Sequence, residues 1–475
     1  MMEETLLSLE QVLEATGGMH LLGNGTFHFT SVKTDSRDVC PDTLFVPLIG
    51  EQQDGHKYIG QALEKGASVV FMALKNFEAN SETFVKLSLS HPKVFFIGVE
   101  NTLTALQKIA SCYVDGFENL IKIGITGSSG KTTTKEIAAA ILSQHYTVVT
   151  NKGNFNSETG LPLSVFAIRK EHQVGLFEMG MNRRNEMKEI ADVLKPRFAV
   201  ITNIGTAHIG ILGSREAIAE EKSQIFRHFK GFGTAIIPKD DDFCSYLTSQ
   251  ADGKIVYYGD GQDESISLEK NLGLSGFVLN IGGEKATFPL PGMYNYKNAL
   301  AAMSLAKALG LSFHEIAQGI ESVKPLFGRS EVIETERCTI VQDCYNANPD
   351  SMSRSLSLVS DVPASSNVFL VLGDMLELGA ESVKSHVEIG REAAATRATV
   401  LFIGNEMKHA YDEAVKSSGT ERFLYYKDSS DASLSEVTVF LKGKLKKNDV
   451  VLIKGSRGMA LERLTSLLSN GDVNA

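Results

Sequence analysis

The stretch Ile121-Lys-Ile-Gly-Ile-Thr-Gly-Ser-Ser-Gly-Lys-Thr-Thr133 constrains the fold more than any other part of the 475-residue chain. Its apolar start reads as a strand, its Gly/Ser centre as a tight turn, and Thr132 to Ser143 as a helix. A strand that turns at once into a helix aims the helix's first N–H groups at an anion. Gly127 and Gly130 let the backbone curl, with Ser128 and Ser129 between them. Lys131 is placed to neutralise phosphate charge, and the Thr132 hydroxyl is placed to reach Mg²⁺. The strict phosphate-loop pattern has Gly at position 125, and this chain has Ile125.

The surrounding pattern repeats the strand–helix rhythm. Strands are expected at Val174–Glu178, Phe198–Asn203 and Thr234–Pro238, with helices at Arg184–Leu194 and Arg215–Phe229. Such alternation predicts right-handed crossovers and a mostly parallel sheet. Before residue 100 the pattern is mixed, with strands at Thr43–Leu48, Ser68–Met72 and Lys93–Val99. Lys254–Phe288 reads as a β-rich insertion, and Asn295–Leu309 as an Ala/Leu helix stopped by Gly310. From about 326 a second alternation begins, of doubly wound type. The fold class expected is α/β in three domains. These are a mixed α/β domain (1–100), a central parallel-sheet phosphate-loop domain (101–325) and a Rossmann-like domain (326–475).

Composition narrows the function classes. Lys+Arg is 47 against Asp+Glu 57, a net charge of −10, which argues against broad nucleic-acid binding. Five cysteines with no C-x-x-C fit a reducing cytoplasm better than a disulfide framework or zinc site. No apolar run approaches the roughly 20 residues that span a bilayer, and the acidic N-terminal segment is no signal peptide. A cytoplasmic protein without membrane insertion is expected, and we read it as a monomer.

Polar residues at strand ends add candidates. Glu178 closes Val-Gly-Leu-Phe-Glu, and His208 follows the run from Ala199. A carboxylate and an imidazole at a ligand-binding edge can hold a divalent metal. Taken singly, a capping Glu or a buried, hydrogen-bonded His is the commoner case. Lys222, in Glu-Glu-Lys-Ser-Gln, reads by default as a solvated surface lysine.

Taken together, T-G-S-S-G-K-T, E-M-G-M-N, A-H-I-G-I-L-G-S, E-E-K-S-Q-I-F, N-Y-K-N-A-L-A-A and K-G-S-R-G resemble the ATP-dependent Mur ligases of peptidoglycan synthesis. Asp343-Cys-Tyr-Asn-Ala-Asn-Pro349 is similar to the signature of the branch that adds D-alanyl-D-alanine to UDP-N-acetylmuramoyl-tripeptide. Thr34-Asp-Ser-Arg37 and Asp54-Gly-His56 resemble a UDP-binding domain. Cys344 departs from the usual Ser of that signature, and Ser157 from a usual Asn. The resemblance implies ATP phosphates at Gly127–Thr133, including Thr133. It implies adenine-side Asn295 and Asn298, and Arg329 and Asp343 reaching ATP from the last domain. Metal would fall to Thr132, Glu178, His208 and a carbamylated Lys222, whose new anionic oxygens suit a cation-rich site. Catalysis would rest on Lys131, Glu178, His208, Lys222 and Arg329. Substrate would meet Asp35, Ser36, Arg37, Asp54, His56, Asn154, Tyr345, Asn346 and Asn348.

Such an enzyme would pass the ATP γ-phosphoryl group to a carboxylate and let an amine displace phosphate. No protein nucleophile is needed. The neighbouring branch, which adds one amino acid, typically carries D-N-P-R, absent here. Folylpolyglutamate synthase is a further rival, disfavoured by the UDP-type start. A phosphate-loop regulatory NTPase is the alternative from another class.

Overall fold

The computed structural model describes residues 4–50 and 53–469. The first three residues of the acidic N-terminal segment lie outside the described residues. Four sheets organise the strands, and helices fill most connections. One six-stranded sheet has the order Gly253–Tyr258, Gly233–Pro238, Phe198–Ile201, Ile121–Thr126, Val174–Glu178, Val148–Thr150.

The chain divides into two compact units. The first comprises Met1–Gly124, Thr147–Phe198 and Gln224–Gly233. Its five-stranded sheet runs Met19–Leu22, Phe95–Val99, Ala67–Ala73, Thr43–Phe45, Ser31–Lys33. All its pairs are parallel except Met19–Leu22 against Phe95–Val99. Ala67–Ala73 is buried almost throughout, as a parallel strand covered on both faces must be. The helix Thr102–Asp115 starts where the Asn101 side chain accepts from Thr104 N. It buries Ala105, Leu106, Ile109, Ala110, Tyr113 and Val114, one apolar stripe at helical spacing.

The second unit comprises Ile125–Tyr146, Ala199–Ser223 and Thr234–Ala475. Its six-stranded sheet runs Glu331–Glu334, Cys338–Gln342, Asp449–Lys454, Val368–Gly373, Thr399–Ile403, Phe423–Tyr426. Only the first pair is antiparallel. The helix Met293–Ala308 packs against Lys131–Leu142. Its buried Ala299, Ala301, Ala302 and Ala306 carry little side-chain bulk, which suits close packing.

Two expectations about elements are corrected. The β-rich insertion is not one body. Gly253–Tyr258 lies beside Gly233–Pro238, and Ile266–Asn271, Phe277–Ile281 and Glu284–Phe288 form their own antiparallel sheet. Tyr258 anchors the former strand, its hydroxyl lying 3.0 Å from Ile201 O and 2.9 Å from Thr202 O. The helix expected over Arg215–Phe229 ends at Ser223 and continues as a 3₁₀ turn, Gln224–Phe226. There the Ser223 hydroxyl bonds the Glu220 carbonyl, a local contact that competes with the helical ladder.

Candidate active site

The turn after Ile121–Thr126 requires glycine at both flanks. Gly127 has φ +151°, and a Cβ there would lie 1.8 Å from Thr202 Oγ1. Gly130 has φ +80°, and its Cβ would lie 2.5 Å from Asn298 Oδ1. No side chain fits either place without moving a neighbour. Ile125 is fully buried within the strand, so the turn starts two residues later than the strict pattern would start it.

Neighbouring loops hold this turn by its backbone. Ser128 N donates to Asn203 O at 3.0 Å, and Ser129 N to Asn203 Oδ1 at 3.0 Å. Thr202 Oγ1 donates to Ser129 O at 2.6 Å, and Gly205 N to Ser128 Oγ at 2.8 Å. These bonds explain why the strand expected to reach Asn203 stops at Ile201. Sequence reasoning missed Thr202, Asn203 and Gly205. Their signal was the polar Thr-Asn-Ile-Gly-Thr run that precedes His208.

Two lysines converge on one carbonyl. Lys131 Nζ donates to Gly127 O at 2.8 Å, and Lys222 Nζ to the same oxygen at 3.0 Å. Lys222 is 1% exposed, which overturns its default reading as a solvated lysine. His208 has φ +65°, an uncommon backbone state for a residue with a Cβ. Its ring makes no hydrogen bond among the described residues. Burial, and then the charges of Lys131 and Lys222, push its pKa down to about 3. The imidazole lone pair is therefore open to a metal at neutral pH. Thr132 is buried in the first turn of the helix Lys131–Leu142, and Thr133 follows it. Asn298 lies against Gly130, and its Nδ2 donates to Asn295 Oδ1 at 3.3 Å. Asn295 is held in turn by Pro291 O at 2.8 Å.

At the other expected positions of this unit, Arg329 stacks over the Tyr345 ring, 4.2 Å from its centroid. Asp343 accepts from Ser330 N at 3.1 Å, Ser355 Oγ at 2.6 Å and Lys454 Nζ at 2.8 Å. Lys454 belongs to the K-G-S-R-G segment and is 2% exposed, so a buried lysine here pairs with a partly buried carboxylate. The Asn348 side chain caps the helix Pro349–Ser357 by accepting from Ser351 N at 2.8 Å. The exposed Asn346 turns its Oδ1 to Ala347 N.

In the first unit, Glu178 closes its strand at 3% exposure. Asn156 Nδ2 donates to Glu178 Oε1 at 2.7 Å. Asn151 brackets the Glu178 backbone, donating to its carbonyl at 3.0 Å and accepting from its N–H at 2.9 Å. The Asn-Lys-Gly-Asn-Phe-Asn motif thus works through its first and last Asn, while Asn154 is exposed. Asp35 accepts from Arg37 Nε at 2.9 Å, and its bonds to Arg37 hold its carboxyl at about 2. The Arg37 side chain is otherwise largely in solvent. Ser36 is buried and donates to Gln61 Oε1 at 2.7 Å. His56 is buried, with Ala73 N donating to its Nε2 at 3.0 Å. Its Nδ1 therefore carries the proton and meets Asp54 Oδ1 at 2.6 Å.

The whole chain has relatives. A UDP-N-acetylmuramoyl-tripeptide–D-alanyl-D-alanine ligase of Treponema pallidum is 43% identical over 98% of this chain and 99% of its own length. The Mur ligase family catalytic domain matches residues 28–113, the Mur ligase middle domain 125–306, and the Mur ligase glutamate ligase domain 328–457. This chain belongs to the Mur ligase family. The ligase of the same name from Bacillus subtilis is 32% identical to this Mur ligase, covering 98% of both chains. Among solved structures, MurF from Acinetobacter baumannii matches with a TM-score of 0.85 at 28% identity, covering 98% of this chain and 99% of its own. MurF from Thermotoga maritima in complex with ADP matches at 0.76 and 26% identity, covering 92% and 97%. The Mur ligase is an ATP-dependent ligase, and the glycine turn is its only strand-to-helix turn of phosphate-loop type among the described residues. No helix among those residues is long and apolar enough to cross a membrane.

Proposed function

We propose that this Mur ligase joins D-alanyl-D-alanine to UDP-N-acetylmuramoyl-tripeptide at the expense of ATP, in cytoplasmic peptidoglycan precursor synthesis. The observation that carries the reading is the match to ligases of that name over nearly the full length of both chains. The Asp343–Pro349 segment supports it locally, because Asp343 there pairs with the buried Lys454.

Amide formation from a carboxylate is unfavourable in water, so the carboxylate must first be activated. The γ-phosphoryl group moves from ATP to the tripeptide carboxylate, releasing ADP and leaving an acyl phosphate. The amine of D-alanyl-D-alanine then adds to the acyl carbon, and phosphate leaves with the bonding pair. Lys131 and the first N–H groups of the helix Lys131–Leu142 face the charge that builds on the phosphoryl oxygens. Asn298 sets the far wall of the turn, and Arg329 with Asp343 completes the nucleotide site.

The donor set fits Mg²⁺ if Lys222 is carbamylated. In the second unit Thr132 offers a hydroxyl and His208 an unprotonated imidazole, but the two nearby ammonium groups oppose a cation. A carbamate on Lys222 would replace one positive charge with anionic oxygens. In the first unit Glu178, held by Asn156, is a carboxylate suited to a divalent cation. Mg²⁺ would offset phosphate charge during transfer. In the first unit, Asp35 and Arg37 would meet the UDP-linked substrate, with Ser36, Asp54 and His56 shaping their loops and Asn154 at the surface. Tyr345, Asn346 and Asn348 would border the incoming dipeptide. All five cysteines are free thiols, which suits work in a reducing cytoplasm.

The deciding experiment follows ADP release with each amine. Turnover that requires both the UDP-linked tripeptide and D-alanyl-D-alanine supports the reading. Equal turnover with a lone amino acid assigns the chain to the neighbouring branch, and ADP release with neither substrate makes it a free-standing NTPase.

A further inference from the structure

The helix Pro349–Ser357 carries Asp350 and Arg354 one turn apart, where side chains share a face. Asp350 Oδ2 accepts from Thr206 N at 2.7 Å and from Thr206 Oγ1 at 3.0 Å. It lies so close to Gly205 that a Cβ there would come within 2.2 Å of it. Arg354 Nη1 donates to Ser129 Oγ, inside the phosphate loop, at 2.6 Å. The two loops thus gripped are themselves joined by the Gly205 N to Ser128 Oγ bond. Asn348 caps the helix, Pro349 begins it, and Ser355 ties it to Asp343, so the gripping face has a fixed register.

Arg354 is half-buried, and its side chain's only hydrogen bond among the described residues is the one to Ser129. It forms no ion pair there. A guanidinium offers five N–H donors in one plane, and a single neutral hydroxyl engages one of them. Ser129 is itself committed to Asn203 through both its N–H and its hydroxyl, so the hydroxyl is a poor terminus for a full charge. The acceptor that matches a planar cation at a phosphate loop is a phosphate oxygen pair.

We propose that Arg354 is a ligand of the nucleotide's phosphate chain, supplied to the Gly127–Thr133 loop by the helix Pro349–Ser357, with Asp350 as the positioning residue that sets its register. The proposal rests on the reading of that loop as the ATP site.

Nucleotide binding to the full chain tests it, by displacement of a fluorescent ATP analogue with ADP, a non-hydrolysable ATP analogue and adenosine. Arg354→Ala should weaken ADP and the ATP analogue about tenfold or more while leaving adenosine within twofold. Arg354→Gln, which keeps an N–H for Ser129 and removes the charge, should do the same, and serves if the alanine variant misfolds. Asp350→Ala should weaken ADP less, and should add little on top of Arg354→Ala, because it acts through that residue. Phosphate-bearing ligands within twofold of wild type in both Arg354 variants would overturn the proposal. An equal loss for adenosine would also overturn it, since that marks a merely structural role. Lys131→Ala measured in parallel separates the premises: if it too leaves ADP affinity intact, the site reading itself fails.

Discussion

Lys131 and Lys222 donate to one and the same acceptor, the carbonyl oxygen of Gly127, at 2.8 and 3.0 Å. Two ammonium groups on a single carbonyl repel each other, the more so where one is almost wholly removed from water. The turn that bends the backbone thus also gathers positive charge.

Replacing Lys131 with alanine should lower ligation by about 10²-fold or more, as loss of an oriented donor at a transition state does. The fold should persist, because the loop is also held by Thr202, Asn203 and Gly205. Steady-state phosphate release, read beside a thermal unfolding curve, checks both halves. Turnover within a few-fold of wild type would remove Lys131 from the chemistry.

Lys222→Ala should lose most activity and regain part of it with high acetate, whose carboxylate fills the place of a carbamate. Lys222→Arg should not respond, since its fixed charge occupies the site. Intact-protein mass spectrometry under CO₂ should show one labile adduct that Lys222→Ala lacks. An acetate-insensitive alanine variant with no adduct difference would return Lys222 to a structural cation.

Asn156→Ala removes a donor from Glu178 Oε1. If Glu178 holds metal, the Mg²⁺ dependence of turnover should shift to higher concentration by about 10- to 100-fold, the usual cost of losing a group that orients a ligand. Activity at saturating Mg²⁺ should recover. A lower plateau with an unmoved Mg²⁺ midpoint would count against Glu178 as a metal ligand.

Cys344 is 1% exposed among apolar side chains, and burial pushes its thiol up to about 12. The folded protein should therefore resist thiol reagents at this position at pH 8. Cys344→Ser buries a hydroxyl in the same place and should cost about 1–3 kcal/mol in urea unfolding, with little change in turnover. A serine variant as stable as wild type would show that the site offers a partner for the hydroxyl.

His386 is fully buried, with Nε2 accepting from Met375 N at 3.1 Å and Nδ1 donating to Ser382 O at 2.8 Å. Burial holds its pKa below the ordinary 6.5, against the smaller pull of Asp374 and Glu406. The unfolded chain then takes up the proton first as pH falls. Stability from this group is full above 6.5 and drops as pH goes below it, by at most about 1.4 kcal/mol per pH unit. Thermal midpoints from pH 8 to 5 should fall more steeply in wild type than in His386→Gln. Parallel curves would acquit this residue.

Sequence reasoning reached the elements whose signal is local. Ile121–Thr126 and Val174–Glu178 begin and end where the apolar runs do. It failed where a tertiary contact decides. Short strands such as Ser31–Lys33 carry too few residues to show a period. Gly253–Tyr258 pairs with Gly233–Pro238 and is held besides by a tyrosine hydroxyl that reaches a distant carbonyl. Within the candidate site, the glycine turn was legible because its geometry demands glycine. The residues that brace it were not, because Asn203, Asp350 and Arg354 are ordinary polar side chains until the chain folds. The burial of Lys222 was invisible for the same reason.

The bracing of the turn has a thermodynamic consequence. Bonds from Thr202, Asn203 and Gly205 fix Ser128 and Ser129 from the protein side. The loss of conformational entropy in this segment is therefore incurred when the chain folds and not when nucleotide arrives. Nucleotide association at this loop should accordingly show a small heat-capacity change and a small entropic penalty, as binding to a surface that is already ordered does.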